Sequence, residues 1–198
     1  MNVFSNSCAG GFVHAILSNE PYKHPFYWCT IDESEFVDWM LDFDNININD
    51  KIEVDYLKTK ISKNPKAYWW TKPKTKEKYY TAPTLYINNR FYVTYPHYLN
   101  NMMEVFNKRI ERYDKDDTNI FVLNIKNIYN TPEEVVTKFV SDDKYIKILI
   151  TENEEHLKYQ NDKLLVIYDD FLISKNAAIK WYVYFYQDDI KEFVQKFF

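Results

Sequence analysis

The sequence predicts an α/β fold built on a largely parallel sheet, and three observations predict it. Short apolar runs alternate with amphipathic helical stretches, the pattern of βαβ units. At 198 residues the chain is long enough for one sizeable core and short for two. Aromatic residues make up 19% of it (Tyr 18, Phe 14, Trp 5), which supplies ample material to bury. The expected architecture is one three-layer-like domain over residues 1–198, with a β-rich insertion at 51–95 and an aromatic C-terminal tail at 169–198.

Asn2–Ser5 reads as the first strand. Ser5-Asn6-Ser7 then offers capping side chains to a short helix, with Phe12, Val13, Ile16 and Leu17 as its apolar stripe. Pro21–Cys29 is an aromatic loop. Asp32 caps a second helix, with Glu35 three residues on and Phe36, Trp39, Met40 and Phe43 along one face. Within the insertion, Ile52–Tyr56 alternates as a strand does. Leu85–Ile87 and Arg90–Tyr95 flank Asn88-Asn89 as a hairpin, and Lys72–Lys78 is a polar loop. A long helix is expected from about Tyr98 to Tyr113. After it come a strand at Asn119–Ile125, a helix at Pro132–Val140 capped by Thr131, a strand at Tyr145–Thr151, a short polar helix at Glu152–Lys158 and a strand at Leu164–Tyr168. Ile179–Tyr186 fits a strand or a buried helix equally, and Asp188–Phe198 fits a terminal helix.

Composition narrows the function. A net charge of -4 argues against nucleic acid or an anionic membrane as the main partner. No run approaches the roughly 20 apolar residues that span a bilayer, and no secretory signal is visible, so a soluble cytoplasmic protein is expected. Two cysteines, Cys8 and Cys29, do not make a disulfide framework. No Walker loop, dinucleotide fingerprint or zinc-ligand spacing occurs, so neither cofactor nor metal is expected. The surplus of Lys, Asn, Ile and Tyr over Arg and Ala points to an AT-rich genome, as in some large DNA viruses.

Both glycines of the chain are adjacent, Gly10 and Gly11, two residues after Cys8. Glycine serves where another backbone or a ligand must come close. A helix beginning near Cys8 would set the sulfur at its positive end, where unpaired N–H groups favour a thiolate. An oxyanion formed there could be held by the Cys8 and Ala9 amides or by Asn6, which suits acyl transfer or hydrolysis at a cysteine. The bland alternative is a cysteine buried as a small apolar residue and a glycine pair that permits tight helix–strand packing.

A cysteine nucleophile needs a base. His14 lies about 240° around the helix from Cys8, His24 sits in the aromatic loop, and His156 is expected to face solvent on its polar helix. His97, between a strand end and the long helix, is the best placed. Asn124 and Asp117, at either end of the strand after the long helix, are possible orienting residues. Arg109 and Arg112, two of only three arginines, could bind a phosphate or carboxylate, or pair with Glu104, Glu111 or Asp116. Tyr68-Trp69-Trp70 could stack on a sugar ring or fill the core.

The stretch Ser5-Asn6-Ser7-Cys8-Ala9-Gly10-Gly11-Phe12, with the later basic segment Phe106–Arg112 and strand Asn119–Val122, resembles an uncharacterised family described as exopolysaccharide biosynthesis proteins. The same layout is similar to a second uncharacterised family described as papain-like cysteine peptidases. That family has an early cysteine, a Pro-Phe-Asp-Trp-like motif (here Pro25-Phe26-Tyr27-Trp28, with Tyr27 in the acidic position), a histidine matched by His97, and an arginine-bearing helix. The resemblance runs from about Asn2 to Tyr168 and leaves out the tail. It implies Cys8 as nucleophile and His97 as base.

The leading expectation is therefore a papain-like thiol hydrolase or acyltransferase. In it Cys8, His97 and Asn6 are catalytic, and Gly10, Gly11, Arg109 and Arg112 bind a peptide, acyl or glycan substrate. The alternatives are a surface-polysaccharide enzyme or accessory factor with a structural Cys8 and a sugar-binding Tyr68–Tyr95 segment, and a non-catalytic interaction module.

Overall fold

The computed structural model describes residues 1–20, 31–45, 108–109, 111–125, 131–168 and 183–198, and the backbone of 52–55, 84–87 and 91–94. In chain order the elements are β1 (Asn2–Ser5), α1 (Ala9–Leu17), α2 (Glu33–Leu41), β2 (Ile52–Asp55), β3 (Thr84–Ile87), β4 (Phe91–Thr94), β5 (Asn119–Asn124), α3 (Glu133–Ser141), β6 (Ile146–Thr151), β7 (Leu164–Tyr168) and α4 (Gln187–Gln195).

Four strands form a parallel sheet in the order β1-β5-β6-β7, with Val3 opposite Ile120, Ile120 opposite Ile146 and Ile148 opposite Leu165. Every residue of β6 is buried, as expected of a central strand covered on both faces. Alternate side chains separate into two apolar clusters. On one face Phe4, Phe121, Leu123 and Leu149 meet Phe36, Trp39 and Met40 of α2 and Val135, Val136 and Phe139 of α3. On the other, Val3, Ile120, Val122 and Ile148 meet Ala9 and Val13 of α1 and Ile190, Phe193 and Val194 of α4. The fold is thus α/β, with helices on both faces of a parallel sheet.

The first face is aromatic. The Phe4 ring has Trp39 and Phe43 edge-on, each 5.1 Å between centroids, and Phe121 stacked at 5.2 Å. Such pairs add about 0.5–1.5 kcal/mol each beyond the area they bury. Asp32 caps α2 as predicted, accepting the Ser34 amide at 3.0 Å. The cap of α3 differs from expectation. Its N-cap is Pro132 rather than Thr131, because the Val135 amide bonds the Pro132 carbonyl at 2.9 Å. The short polar helix is a 3₁₀ turn, Glu154–Tyr159, capped by Asn153. Val183–Phe185 is helical, which resolves the ambiguous tail in favour of helix there.

Within segment 51–95, β2, β3 and β4 form an antiparallel sheet, with Thr84 opposite Thr94 and Ile87 opposite Phe91. The rest of the segment, including Tyr68-Trp69-Trp70, Lys72–Lys78 and Asn88-Asn89, lies outside the described residues, as does most of the expected helix from Tyr98. No helix among the described residues is long and apolar enough to cross a membrane.

Lys147 is a lysine in the middle of an apolar strand and is only 1% exposed. Its ammonium donates to the carbonyls of Phe139 (2.8 Å), Val140 (3.1 Å) and Asp142, which are the open acceptors at the end of α3. Burial lowers its pKa from 10.5 to about 8, against the opposing pull of Asp142 and Asp143. Between these two values the unfolded chain holds a proton that the folded chain has released. Stability therefore rises with pH from about 8 towards 10.5. Tyr145 acts in the opposite sense above pH 10, since burial pushes its phenol up to about 12 and the folded state keeps the proton. Comparison with Lys147→Met isolates the lysine. Urea titrations at pH 7.5 and pH 10 should show the native chain gaining about 1–3 kcal/mol relative to the variant. An unchanged difference would contradict the assignment.

Candidate functional site

Adjacent parallel strands whose following helices leave to opposite faces open a crevice at their carboxyl ends, where α/β proteins bind ligands. Here the chain leaves β1 and β5 towards opposite faces, so their carboxyl ends are the corresponding place in this sheet. β1 leads into α1 on one face, while β5 leads towards α3 on the other. Ser5, Asn6, Ser7, Cys8 and Asn124 lie at this point, and all five are buried.

Asn6 is the junction. Its Nδ2 donates to the Asn124 carbonyl at 2.9 Å, and its Oδ1 accepts the Asn124 amide at 2.8 Å. Its own carbonyl accepts the Ile31 amide at 3.0 Å, one residue before the cap of α2. The Asn124 side chain returns across the crevice, with Nδ2 donating to Ser7 Oγ at 3.1 Å. Ser7 Oγ also accepts the Ala9 amide at 3.2 Å, and Ser5 Oγ accepts the Ser7 amide at 3.2 Å.

This network bears on two of the foreseen oxyanion donors. The Ala9 N–H is taken by Ser7 Oγ, while the Asn6 side chain braces the turn by holding the Asn124 backbone with its Oδ1 and one of its two Nδ2 hydrogens. Gly11 donates to the Cys8 carbonyl at 3.1 Å. The Gly10 amide is left as a donor at the start of α1 with no acceptor among the described residues. The side-chain space of Gly10 is used by β1. A Cβ there would lie 2.7 Å from the Ser5 Cβ, so the glycine lets α1 approach the strand. For Gly10, the packing alternative describes the Cβ side.

Cys8 is the N-cap residue of α1. It is 5% exposed and belongs to neither apolar cluster, and its sequence neighbours are the polar Ser7 and the fully buried, apolar Ala9. His97, Cys29, His24 and the motif Pro25–Trp28 lie outside the described residues. His14 is buried on α1. Arg109 is buried and Arg112 exposed, with the Arg112 amide bonding the Arg109 carbonyl at 3.1 Å. Among the described residues no group of three or more His, Cys, Asp or Glu side chains could hold a metal ion. A groove of about 470 Å³ between α2 and α3, lined by Leu41, Thr137, Lys138 and Ser141, contains none of the predicted site residues.

His156 departs from expectation. It is 2% exposed rather than solvent-facing, because the 3₁₀ turn directs it inward onto Thr151 Oγ1 at 2.8 Å. The flanking Glu154, Glu155 and Lys158 hide this in the sequence. A hydroxyl at the end of the preceding strand, Thr151, was the only hint.

Two substitutions test the crevice. Asn6→Ala leaves a buried N–H and a buried carbonyl of Asn124 without their partner, and should cost about 2–4 kcal/mol in urea unfolding. Gly10→Ala gains helix propensity but meets the Ser5 Cβ. It should destabilise by about 1–3 kcal/mol, with most of the loss recovered in Ser5→Gly/Gly10→Ala. Additive losses in the double variant would exclude the contact as the cause. Compared with known proteins, the chain matches no family model and no curated protein.

Proposed function

We propose that the protein is a thiol enzyme, a hydrolase or acyltransferase, working at Cys8. The observation that carries this reading is the position of Cys8, the cap residue of α1, in a hydrogen-bonded turn at the carboxyl ends of β1 and β5. In the proposed reaction the imidazole of His97 takes the thiol proton, and the sulfur attacks a carbonyl carbon. The tetrahedral oxyanion accepts the Gly10 amide. As the oxyanion collapses, the bond to the leaving group breaks, the leaving group takes the proton from the imidazolium, and an acyl thioester remains on Cys8. Water or an acceptor nucleophile then releases the acyl group, giving hydrolysis or transfer respectively. The resemblance to papain-like peptidases supplies the choice of His97, and the fold supplies the reason for Cys8.

Alkylation tests the reading in a Cys29→Ser background, where Cys8 is the sole thiol. With iodoacetamide at neutral pH, the folded protein should react at least about tenfold faster than free cysteine, with a rate midpoint below the ordinary thiol value of about 8.5. His97→Ala should slow it and move the midpoint upward. If Cys8 is labelled only after denaturation, Cys8 is a packing residue and the proposal fails.

A further inference from the structure

A second polar cluster occupies the same carboxyl edge of the sheet, around His156. Its ring is buried between the end of β6, its own 3₁₀ turn and the first residue of α3. Nδ1 lies 2.8 Å from Thr151 Oγ1. Nε2 lies 3.3 Å from Glu133 Oε2 and equally 3.3 Å from Asn153 Nδ2. Tyr159 donates its hydroxyl to the other Glu133 oxygen at 3.2 Å.

These two neighbours of Nε2 demand opposite protonation. The Glu133 carboxylate only accepts, so it needs an Nε2–H. Asn153 presents a donor, because its Oδ1 is taken by the Glu155 amide at 3.1 Å, and that fixes Nδ2 towards the ring. Thr151 does not decide between them. Its hydroxyl can donate to a bare Nδ1 or accept from an Nδ1–H, while it also accepts the Asn153 amide at 3.1 Å. A neutral ring can therefore turn its Nε2 lone pair to Asn153 or its Nε2–H to Glu133. A charged ring has only the second choice, and it adds the attraction between opposite charges.

The geometry points to His156 as a proton-sensitive clasp that, when charged, ties the first turn of α3 to the β6–β7 connection through Glu133. The other titratable groups on the packed elements are Glu134 and Lys138 on α3, Lys147 on β6, Glu152 just before the turn, Glu154, Glu155, Lys158 and Tyr159 on the turn itself, and Tyr168 ending β7. None of these hydrogen-bonds the ring as Glu133 does, and Tyr159 lies beside it with centroids 6.1 Å apart. The clasp joins two connections at the edge that also carries the Cys8 turn. It stands independently of any chemistry at that cysteine.

Glu133 is 59% exposed, so Glu133→Gln tests the clasp with little risk to folding. In the full chain, nitrogen-15 NMR of the His156 ring should show Nε2 carrying a proton at acid pH. The Nε2–H signal should shift in Glu133→Gln, where the carboxylate partner is gone, and persist in Asn153→Ala, where only the opposing donor is removed. Amide exchange in the first turn of α3 should slow several-fold as His156 gains its proton in the native chain, and not in Glu133→Gln. An Nε2–H signal that is the same in the native chain and Glu133→Gln, or exchange in the first turn of α3 indifferent to acidification, would overturn the clasp.

Discussion

The paired hydrogen bonds between Asn6 and Asn124 hold the rest of the architecture in register. β1 and β5 run side by side, but the chain leaving each must go to a different face of the sheet, and the divergence leaves backbone groups with no ladder partner. The Asn6 side chain supplies the missing rung by meeting both the N–H and the carbonyl of Asn124. Its own carbonyl then fixes Ile31, so the same residue determines where α2 begins. Buried polar groups stabilise only when fully paired. This one is paired on both its side chain and its backbone.

The regular elements were legible because their signals are local. β6 is a continuous apolar run, the buried face of α2 follows helical spacing, and Asp32 announces its cap. The rest was not legible where the deciding contact is distant or the period is unfamiliar. Asn6 stood out by its type and place, but nothing within the turn reveals that its side chain meets a residue 118 positions further along the chain. His156 was misread because a 3₁₀ turn repeats every three residues, so an inward position falls among residues that a 3.6-residue period assigns to solvent. Thr131 looked like a cap because it is a threonine before proline, yet the proline carbonyl receives the first bond of α3. Gly10 was legible as a close approach, but the backbone that approaches is the protein's own.

The same hydrogen bonds that brace the turn bear on the proposed chemistry at Cys8. A helix start offers several N–H groups, and this one gives Ala9 to Ser7 and Gly11 to Cys8. Gly10, whose amide meets no acceptor among the described residues, is also the residue whose missing Cβ seats α1 on Ser5. In the proposed reaction its N–H is the oxyanion donor, and a donor held in place by packing costs no reorientation when negative charge develops.

Buried polar residues in this sheet are distributed unevenly, and the unevenness follows from helix direction. Helices that follow parallel strands start at the carboxyl edge and finish at the other. Open N–H groups therefore gather at one edge and open carbonyls at the opposite one. Lys147, near the start of β6, answers the carbonyls at the end of α3 with an ammonium. Ser7, Asn6 and Asn124 answer the amide-rich edge with side chains that both donate and accept. A lysine can fill its role only as a donor, so burial must be offset by several carbonyls at once, and its proton affinity falls. Hydroxyls and amides can exchange roles without changing charge. An edge lined with such groups can therefore satisfy the chain without any buried charge, which the lysine at the opposite edge cannot do.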